Sequence, residues 1–205
     1  MIVFFVILIL LYSIVIHEVA HGWMAYRLGD STPKLAGRLT LNPFAHIDIV
    51  GTIILPILLL IISRGNFSLG FAKPVPINPY NFKNPKRDIM WVGMAGPLSN
   101  LILAFLFLFL LKIKTISALY TIFAYGALIN LILALFNLLP IPPLDGSKII
   151  SSFLNYRRAY FYLKSEIWGI ILIILLISTG FLRWFIFPII KFIFHLAGVE
   201  IETLL

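Results

Sequence analysis

The sequence predicts an all-α membrane protein, a polytopic helical bundle of about five to six apolar segments with a re-entrant extended region. The 205 residues are 61% hydrophobic and have a mean hydropathy of +1.04. Only 12% of them are charged, about half the share typical of soluble domains. Several apolar stretches are also long enough to cross a bilayer as helices.

Five apolar segments carry this prediction. The first lacks a basic start and a small-residue cleavage site, so it predicts a retained span rather than a signal peptide. A sixth, 184–197, is interrupted by Pro188, Lys191 and His195 and predicts either a span or an interfacial helix. We expect a single domain over 1–205, with its functional core at about 1–150 and C-terminal spans at about 165–197. The five segments are 2–26, 47–63, 88–111, 116–139 and 167–182.

The basic residues are unevenly distributed. Most lie in three Pro- and Asn-rich stretches read as loops, 30–46, 64–87 and 140–166, which the positive-inside rule places in the cytosol. This placement requires that 47–87 enters the membrane and returns without a net crossing. The Pro-rich run Asn66 to Tyr80 fits an extended re-entrant segment.

Charge and cysteine content exclude other classes. The net charge of +8 is spread over loops and forms no nucleic-acid patch, so the expected partner is the lipid bilayer and not a nucleic acid. There is no cysteine, which excludes disulfides and Cys-ligated metals. Any bound Zn2+ must therefore be held by histidine and carboxylate.

An H-E-x-x-H motif lies inside the first apolar segment, at His17, Glu18 and His21. Residues four apart share one helix face, so both histidines can reach one metal ion. Glu18 is offset by about 100° and can point at the open coordination position. Two imidazoles with a neighbouring carboxylate are typical of a zinc hydrolase. The alternatives are a chance match or two histidines lining a polar helix interface.

Catalytic zinc usually takes a third protein ligand, and the candidates are Asp145, His46 and Glu166. Asp145 follows a Pro-rich break in an apolar helix and precedes Gly146, which permits a sharp turn or close backbone approach. The alternative for Asp145 is a loop turn at the membrane surface. His46 is interpreted as an interfacial or substrate-region histidine, and Glu166 as a partner of the basic stretch before it.

These motifs together resemble the site-2 protease family of intramembrane zinc metalloproteases. The resemblance lies in His17-Glu-Val-Ala-His21 and in Asn137-Leu-Leu-Pro-Ile-Pro-Pro-Leu-Asp145-Gly146, in that order on separate spans. It implies that His17, His21 and Asp145 bind zinc, that Glu18 is the catalytic base, and that Asn137 acts near the oxyanion or the substrate strand. Shorter matches to the family's short bacterial and archaeal branch are 38–52, 70–79 and 96–100.

The resemblance implies hydrolysis of peptide bonds in or near the transmembrane segments of membrane proteins, in particular single-span helices. It also implies a multi-pass protein of a prokaryotic cell membrane. Larger relatives carry PDZ or CBS domains, and the 205 residues contain neither. Two alternatives from other classes are a small transporter or ion channel with a His/Asp relay and an inactive scaffold that binds membrane helices.

Overall fold

The computed structural model describes residues 2–48, 73–113 and 117–199, together with Gly51, Ile54, Leu58 and Ile61. Within this part of the chain every regular element is helical and there is no β-strand, which confirms the all-α class. The predicted segment 47–63 and the first half of the predicted re-entrant run fall mostly outside the described residues. The helices are α1 (Ile2–Arg27), α2 (Thr32–Leu35), α3 (Pro85–Leu111), α4 (Ser117–Asn137), α5 (Asp145–Phe153), α6 (Tyr156–Lys164), α7 (Glu166–Ser178) and α8 (Phe181–Leu196).

Three of the described helices, α1, α3 and α4, are long and apolar enough to cross a membrane. They confirm the predicted segments 2–26, 88–111 and 116–139. Helix α7 has 13 residues, about 20 Å, which is short of a core about 30 Å thick. Helices α6 and α7 are long and apolar enough to cross the membrane only as a pair, and the bend between them is 55°. The described residues thus provide three or four candidate spans.

Two of the predicted loops are partly wrong. The stretch 140–166 contains α5 and α6, and the stretch 30–46 contains α2 and a 3-10 turn, Pro43–Ala45. These elements are short, so they lack the long apolar run that hydropathy detects. Their stability comes instead from tertiary packing and local caps, such as the Asn155 side chain that accepts the Arg158 N–H at 2.9 Å.

The two ends of the intervening segment meet in space. The Lys73 N–H donates to the His46 carbonyl at 2.9 Å, so the chain returns at residue 73 to the place it left at residue 46. The chain that follows this return lies beside the C-terminal end of α1, because Asp30 accepts the Asn78 N–H at 2.7 Å. This is the arrangement that a segment returning to its own side of the membrane requires.

Asp30 holds the stretch 73–81 beside the end of α1 through hydrogen bonds to Asn78 and Asn81. It is fully buried and also accepts hydrogen bonds from Thr32 and from the Asn81 amide at 2.7 Å. Burial raises the pKa of its carboxyl, but the hydrogen bonds from Thr32, Asn78 and Asn81 outweigh burial and hold the pKa below its ordinary value. The ionised form is therefore the one that the fold stabilises.

An apolar core fills the other end of the bundle, where α3, α4 and α8 pack together. Small residues let the helix backbones approach closely, as is usual between membrane helices. At Gly126, for example, an added Cβ would lie 2.8 Å from the Phe107 ring. The buried members of this core are Ala104, Leu108, Leu111, Ala124, Ala127, Leu128, Leu131, Ile186, Ile190, Phe194 and Val199.

Candidate metal centre

Three potential metal ligands converge between α1 and α5. His17 and His21 lie one turn apart on α1, and Asp145 is the first residue of α5. Their exposed fractions are 7%, 4% and 5%. The two Nε2 atoms are 3.0 Å apart, and each lies 3.0 Å from Asp145 Oδ2. Among the described residues this is the one group of three or more His, Cys, Asp or Glu side chains close enough to share a metal ion.

The other ring nitrogen of each histidine faces an oxygen that can only accept. His21 Nδ1 lies 2.6 Å from the Val92 carbonyl oxygen, so Nδ1 carries the proton. His17 Nδ1 lies 2.6 Å from Asn100 Oδ1 and donates to it. In a neutral imidazole the Nε2 atom then carries the lone pair, which is the form that binds a metal.

The orientation of the Asn100 amide is fixed by a buried network. The Asn130 Nδ2 donates to the Gly126 carbonyl at 2.9 Å, which leaves Asn130 Oδ1 to accept from Asn100 Nδ2 at 2.9 Å. Asn130 Nδ2 also donates to the Ser13 hydroxyl, and Asn100 Nδ2 to the Ser13 carbonyl. Asn100 Oδ1 is thereby turned toward His17, so the tautomer of His17 is set by a chain of bonds that begins at a backbone carbonyl.

With both imidazoles neutral, the cluster consists of three electron-rich atoms that face one another. Two imidazole lone pairs and a carboxylate oxygen lie 3.0 Å apart, which is unfavourable in a buried site unless a cation sits among them. Ligand atoms around a tetrahedral zinc ion lie about 3.3 Å apart. The donor set and its spacing therefore fit zinc.

A glycine keeps the space beside these atoms open. A Cβ added at Gly96 of α3 would lie 2.6 Å from His17 Nε2 and nearer still to His21 Nε2. Any larger residue would occupy the face of the histidines on which a metal must sit. Because residue 96 has no side chain, α3 can lie close to α1 while the space beside the Nε2 atoms stays free for an ion.

Asp145 is positioned by the Pro-rich break after α4. Its neighbour Gly146 packs so tightly that an added Cβ would collide with the carbonyl oxygens of Leu138 and Leu139. Lys148, one turn along α5, donates to Asp145 Oδ1 at 2.8 Å and leaves Oδ2 for the histidines.

Glu18 contacts the Pro-rich stretch 73–78, which follows the segment 47–72. Its Oε2 accepts the Val75 N–H at 3.0 Å, and its side chain is half-buried. Val75 lies between Pro74 and Pro76, so it carries the one N–H in this run of three residues. The structure thus places the acidic residue of the motif directly against backbone that belongs to no regular secondary structure.

The remaining sequence candidates lie outside the cluster. His46 is buried, and its Nε2 bonds to the Thr40 carbonyl at 2.9 Å. Glu166 begins α7 and is exposed. Asn137 ends α4, and its Nδ2 donates to the Leu133 carbonyl at 2.9 Å; its role near the oxyanion stays a prediction.

Sequence reasoning missed three side chains that act on the site, Asn100, Asn130 and Lys148. The two asparagines carried a usable signal, because each is a polar residue inside an apolar span. Asn100 had been noted only as part of a family-like stretch, and its contact with His17 joins residues 83 positions apart. Lys148 could be mistaken for an ordinary loop cation, because the helix that brings it to Asp145 was not predicted.

Comparisons with known proteins identify the family of this chain. The model of peptidase family M50 matches residues 112–179, which include Asp145. YwhC of Bacillus subtilis, provisionally named a zinc metalloprotease, is 38% identical over 197 residues, which cover 91% of this chain and 86% of YwhC. Rip2 of Mycolicibacterium smegmatis, also provisionally named so, is 30% identical over 194 residues, 93% of this chain and 73% of Rip2.

The zinc metalloprotease MJ0392 of Methanocaldococcus jannaschii is 28% identical over 208 residues, 97% of this chain and 49% of that protein. No solved structure gives a significant match. The similarity to YwhC extends over most of both chains. The chain therefore belongs to peptidase family M50, the site-2 protease family, and is an intramembrane zinc metalloprotease.

Proposed function

We propose that His17, His21 and Asp145 hold the zinc ion of this protease and that Glu18 is its general base. The observation that carries the proposal is the convergence of two imidazole lone pairs and a carboxylate oxygen at 3.0 Å, with Glu18 next to His17 on the same helix. A zinc ion bound there would lower the pKa of a coordinated water to about 7 and polarise the scissile carbonyl.

Glu18 would move the protons of the reaction. The Val75 N–H occupies one carboxylate oxygen, Oε2, which leaves the other to take a proton from the attacking water. The same carboxyl then delivers that proton to the departing nitrogen. Because the carboxylate is anchored to backbone rather than to a flexible side chain, it is held in one place for both transfers.

We infer that the substrates are single-span membrane proteins whose helix unwinds locally before cleavage. A helix hides its peptide bonds in its own hydrogen bonds, so the scissile stretch must become extended. We infer that an edge strand from the re-entrant region Asn66 to Tyr80 holds such a stretch by strand addition. Along the described residues 73–78 the backbone offers mainly carbonyl oxygens rather than N–H groups, because Pro74 and Pro76 have none and Lys73, Val75 and Asn78 already donate theirs. Asn137 is proposed to contact the oxyanion or the substrate strand, in exchange for its bond to the Leu133 carbonyl.

We also infer a single-domain, multi-pass protein of a prokaryotic cell membrane, with the site near its cytosolic face. The C-terminal end of α1 and the N-terminal end of α3 pack together through Ala25, Phe82 and Val92. The basic stretches 30–46 and 64–87 follow and precede these ends, as the positive-inside rule expects for the cytosolic side.

Single cysteines test this topology, because the chain contains none. Cysteines in place of Lys34 and Lys86 should react with an impermeant reagent from the cytosolic side, and one in place of Lys112 from the opposite side. Labelling of positions 34 and 86 from opposite faces would refute the topology.

The proteolytic mechanism is tested with purified protein and candidate single-span substrates in vesicles. Glu18→Gln keeps size and polarity but removes the base, so cleavage should fall by about 10²–10⁴-fold while bound zinc stays near one per chain. Near-normal cleavage by this variant would exclude Glu18 as the base. If the wild type conducts ions and cleaves nothing, the transporter is favoured. If the wild type binds membrane helices and cleaves nothing, the scaffold is favoured.

The ligand set is tested by metal content. We expect His17→Ala and Asp145→Ala to lose stoichiometric zinc. His46→Ala serves as the matched control, since His46 is also buried but bonds to Thr40. Zinc retained in Asp145→Ala and lost in His46→Ala would show that the third ligand is His46.

A further inference from the structure

A basic cavity lies where α3 begins, away from the metal centre. It has a volume of about 440 Å³, within the range of small-ligand sites. Helix α6 closes one side of it with Tyr156, and Lys86 Nζ lies 5.9 Å from the centre of that ring. The cavity is lined by Lys83, Asn84, Pro85, Lys86, Arg87 and Tyr156.

The cationic side chains around this cavity have no counter-ion among the described residues. The ion pairs that join two described residues at the metal centre involve Asp145, and no described carboxylate forms an ion pair with Lys83, Lys86 or Arg87. Arg157 and Arg158, which follow Tyr156, are exposed and likewise outside any described ion pair. The site thus concentrates positive charge without neutralising it.

One carboxylate, Asp88, lies in the first turn of α3 beside this cavity. It is buried, and its Oδ2 accepts the Asn84 N–H at 3.0 Å. The three cations that line the cavity, Lys83, Lys86 and Arg87, outnumber it. A ligand that neutralises this cavity must therefore be an anion.

The surroundings of the cavity are those of a membrane interface. Trp91, one turn along α3 from Arg87, is 38% exposed, and Phe153 and Tyr160 are exposed at 73% and 60%. Exposed aromatic rings beside basic residues at the end of an apolar helix are typical of the headgroup level of a bilayer. An anion bound here would lie where phospholipid headgroups lie.

We propose that this cavity binds the headgroup of an anionic phospholipid. Basic pockets between membrane helices on the cytosolic side are suited to such headgroups. The lipid bridges α3 and α6, with its phosphate among Lys83, Lys86 and Arg87 and its acyl chains in the bilayer beside Trp91. Helix α3 also carries Val92 and Gly96, which contact the histidines, so the lipid stabilises the helix on which the metal centre is built.

The test uses full-length protein in phosphatidylcholine nanodiscs with increasing phosphatidylglycerol. We expect the wild type to retain phosphatidylglycerol in native mass spectrometry and to unfold at a higher temperature as its fraction rises. The triple variant K83Q/K86Q/R87Q should bind that lipid at least about tenfold more weakly and lose the thermal shift. The charge-conserving variant K83R/K86R/R87K should keep both.

A matched control removes the same charge elsewhere. Arg27, Lys34 and Arg183 are exposed and each lies over an aromatic ring, as Lys86 does. R27Q/K34Q/R183Q should retain the lipid and the thermal shift, and circular dichroism checks that each variant is folded. Equal loss in both neutralised triples would overturn the proposal in favour of general surface charge. If inorganic phosphate raises the unfolding temperature as much as phosphatidylglycerol does, the proposal is overturned in favour of a soluble anion. Neither readout depends on proteolysis.

Discussion

The two halves of helix α3 are built on different physics. Its N-terminal half approaches α1 and α5 through Gly93 and Gly96 and buries Asn100 against His17. Its C-terminal half buries Ala104, Leu108 and Leu111 in an apolar core with α4 and α8. Directional hydrogen bonds define the first half, whereas shape alone defines the second. One apolar helix therefore serves both as the scaffold of a metal site and as an anchor in the bundle.

The largest difference in bound zinc is expected when alanine replaces a closely packed glycine in each region, Gly96 at the metal centre and Gly126 in the apolar core. In Gly96→Ala the new Cβ would displace the histidine Nε2 atoms, so bound zinc should fall from about one per chain to near zero. Gly126→Ala, where the Cβ meets the Phe107 ring at 2.8 Å, should keep its zinc because that ring can shift. Elemental analysis of the purified variants measures the difference. Full zinc in Gly96→Ala would mean that the glycine is not needed at the site.

A smaller effect is expected from two substitutions in the same helix. Asn100→Leu removes the acceptor of His17 Nδ1 and should weaken zinc binding by about 10–100-fold, as loss of a ligand-orienting partner does. Leu108→Ala should leave zinc affinity unchanged while lowering the free energy of unfolding by about 2–5 kcal/mol. Chelator competition and denaturation measure the two quantities. A change of affinity in Leu108→Ala comparable to that in Asn100→Leu would erase the distinction between the halves.

The smallest effect concerns pH and the Asp30 anchor. Because the folded-state pKa of Asp30 is lowered, its stabilisation is present above the ordinary pKa of about 3.9 and is lost as pH falls through the folded value. The wild type should therefore exceed Asp30→Asn in stability at pH 7, and the gap should close below about pH 4. Asn81→Ala, which removes one donor to Asp30, should reduce the gap without abolishing it. A gap that widens toward acid would contradict the assignment.

Much of this protein was predictable because the relevant signals are local. A long apolar run must form a helix in lipid, since its backbone groups have no other partners, and α1, α3 and α4 follow from that rule. The spacing of His17 and His21 placed both on one face of α1. The short helices α5 and α6 were missed because amphipathic segments of nine residues leave little trace in hydropathy.

Sequence patterns were enough to predict the membrane class, the helix that carries the zinc motif and the carboxylate expected to complete it. Which atoms meet depends on the packing of the helices. Asp145 and His17 are 128 positions apart, and Asn100 and Asn130 are 30 apart, so their contacts depend on how four helices pack rather than on any local pattern. A tautomer is set by the partner of the opposite ring nitrogen, and that partner exists only once α3 lies against α1.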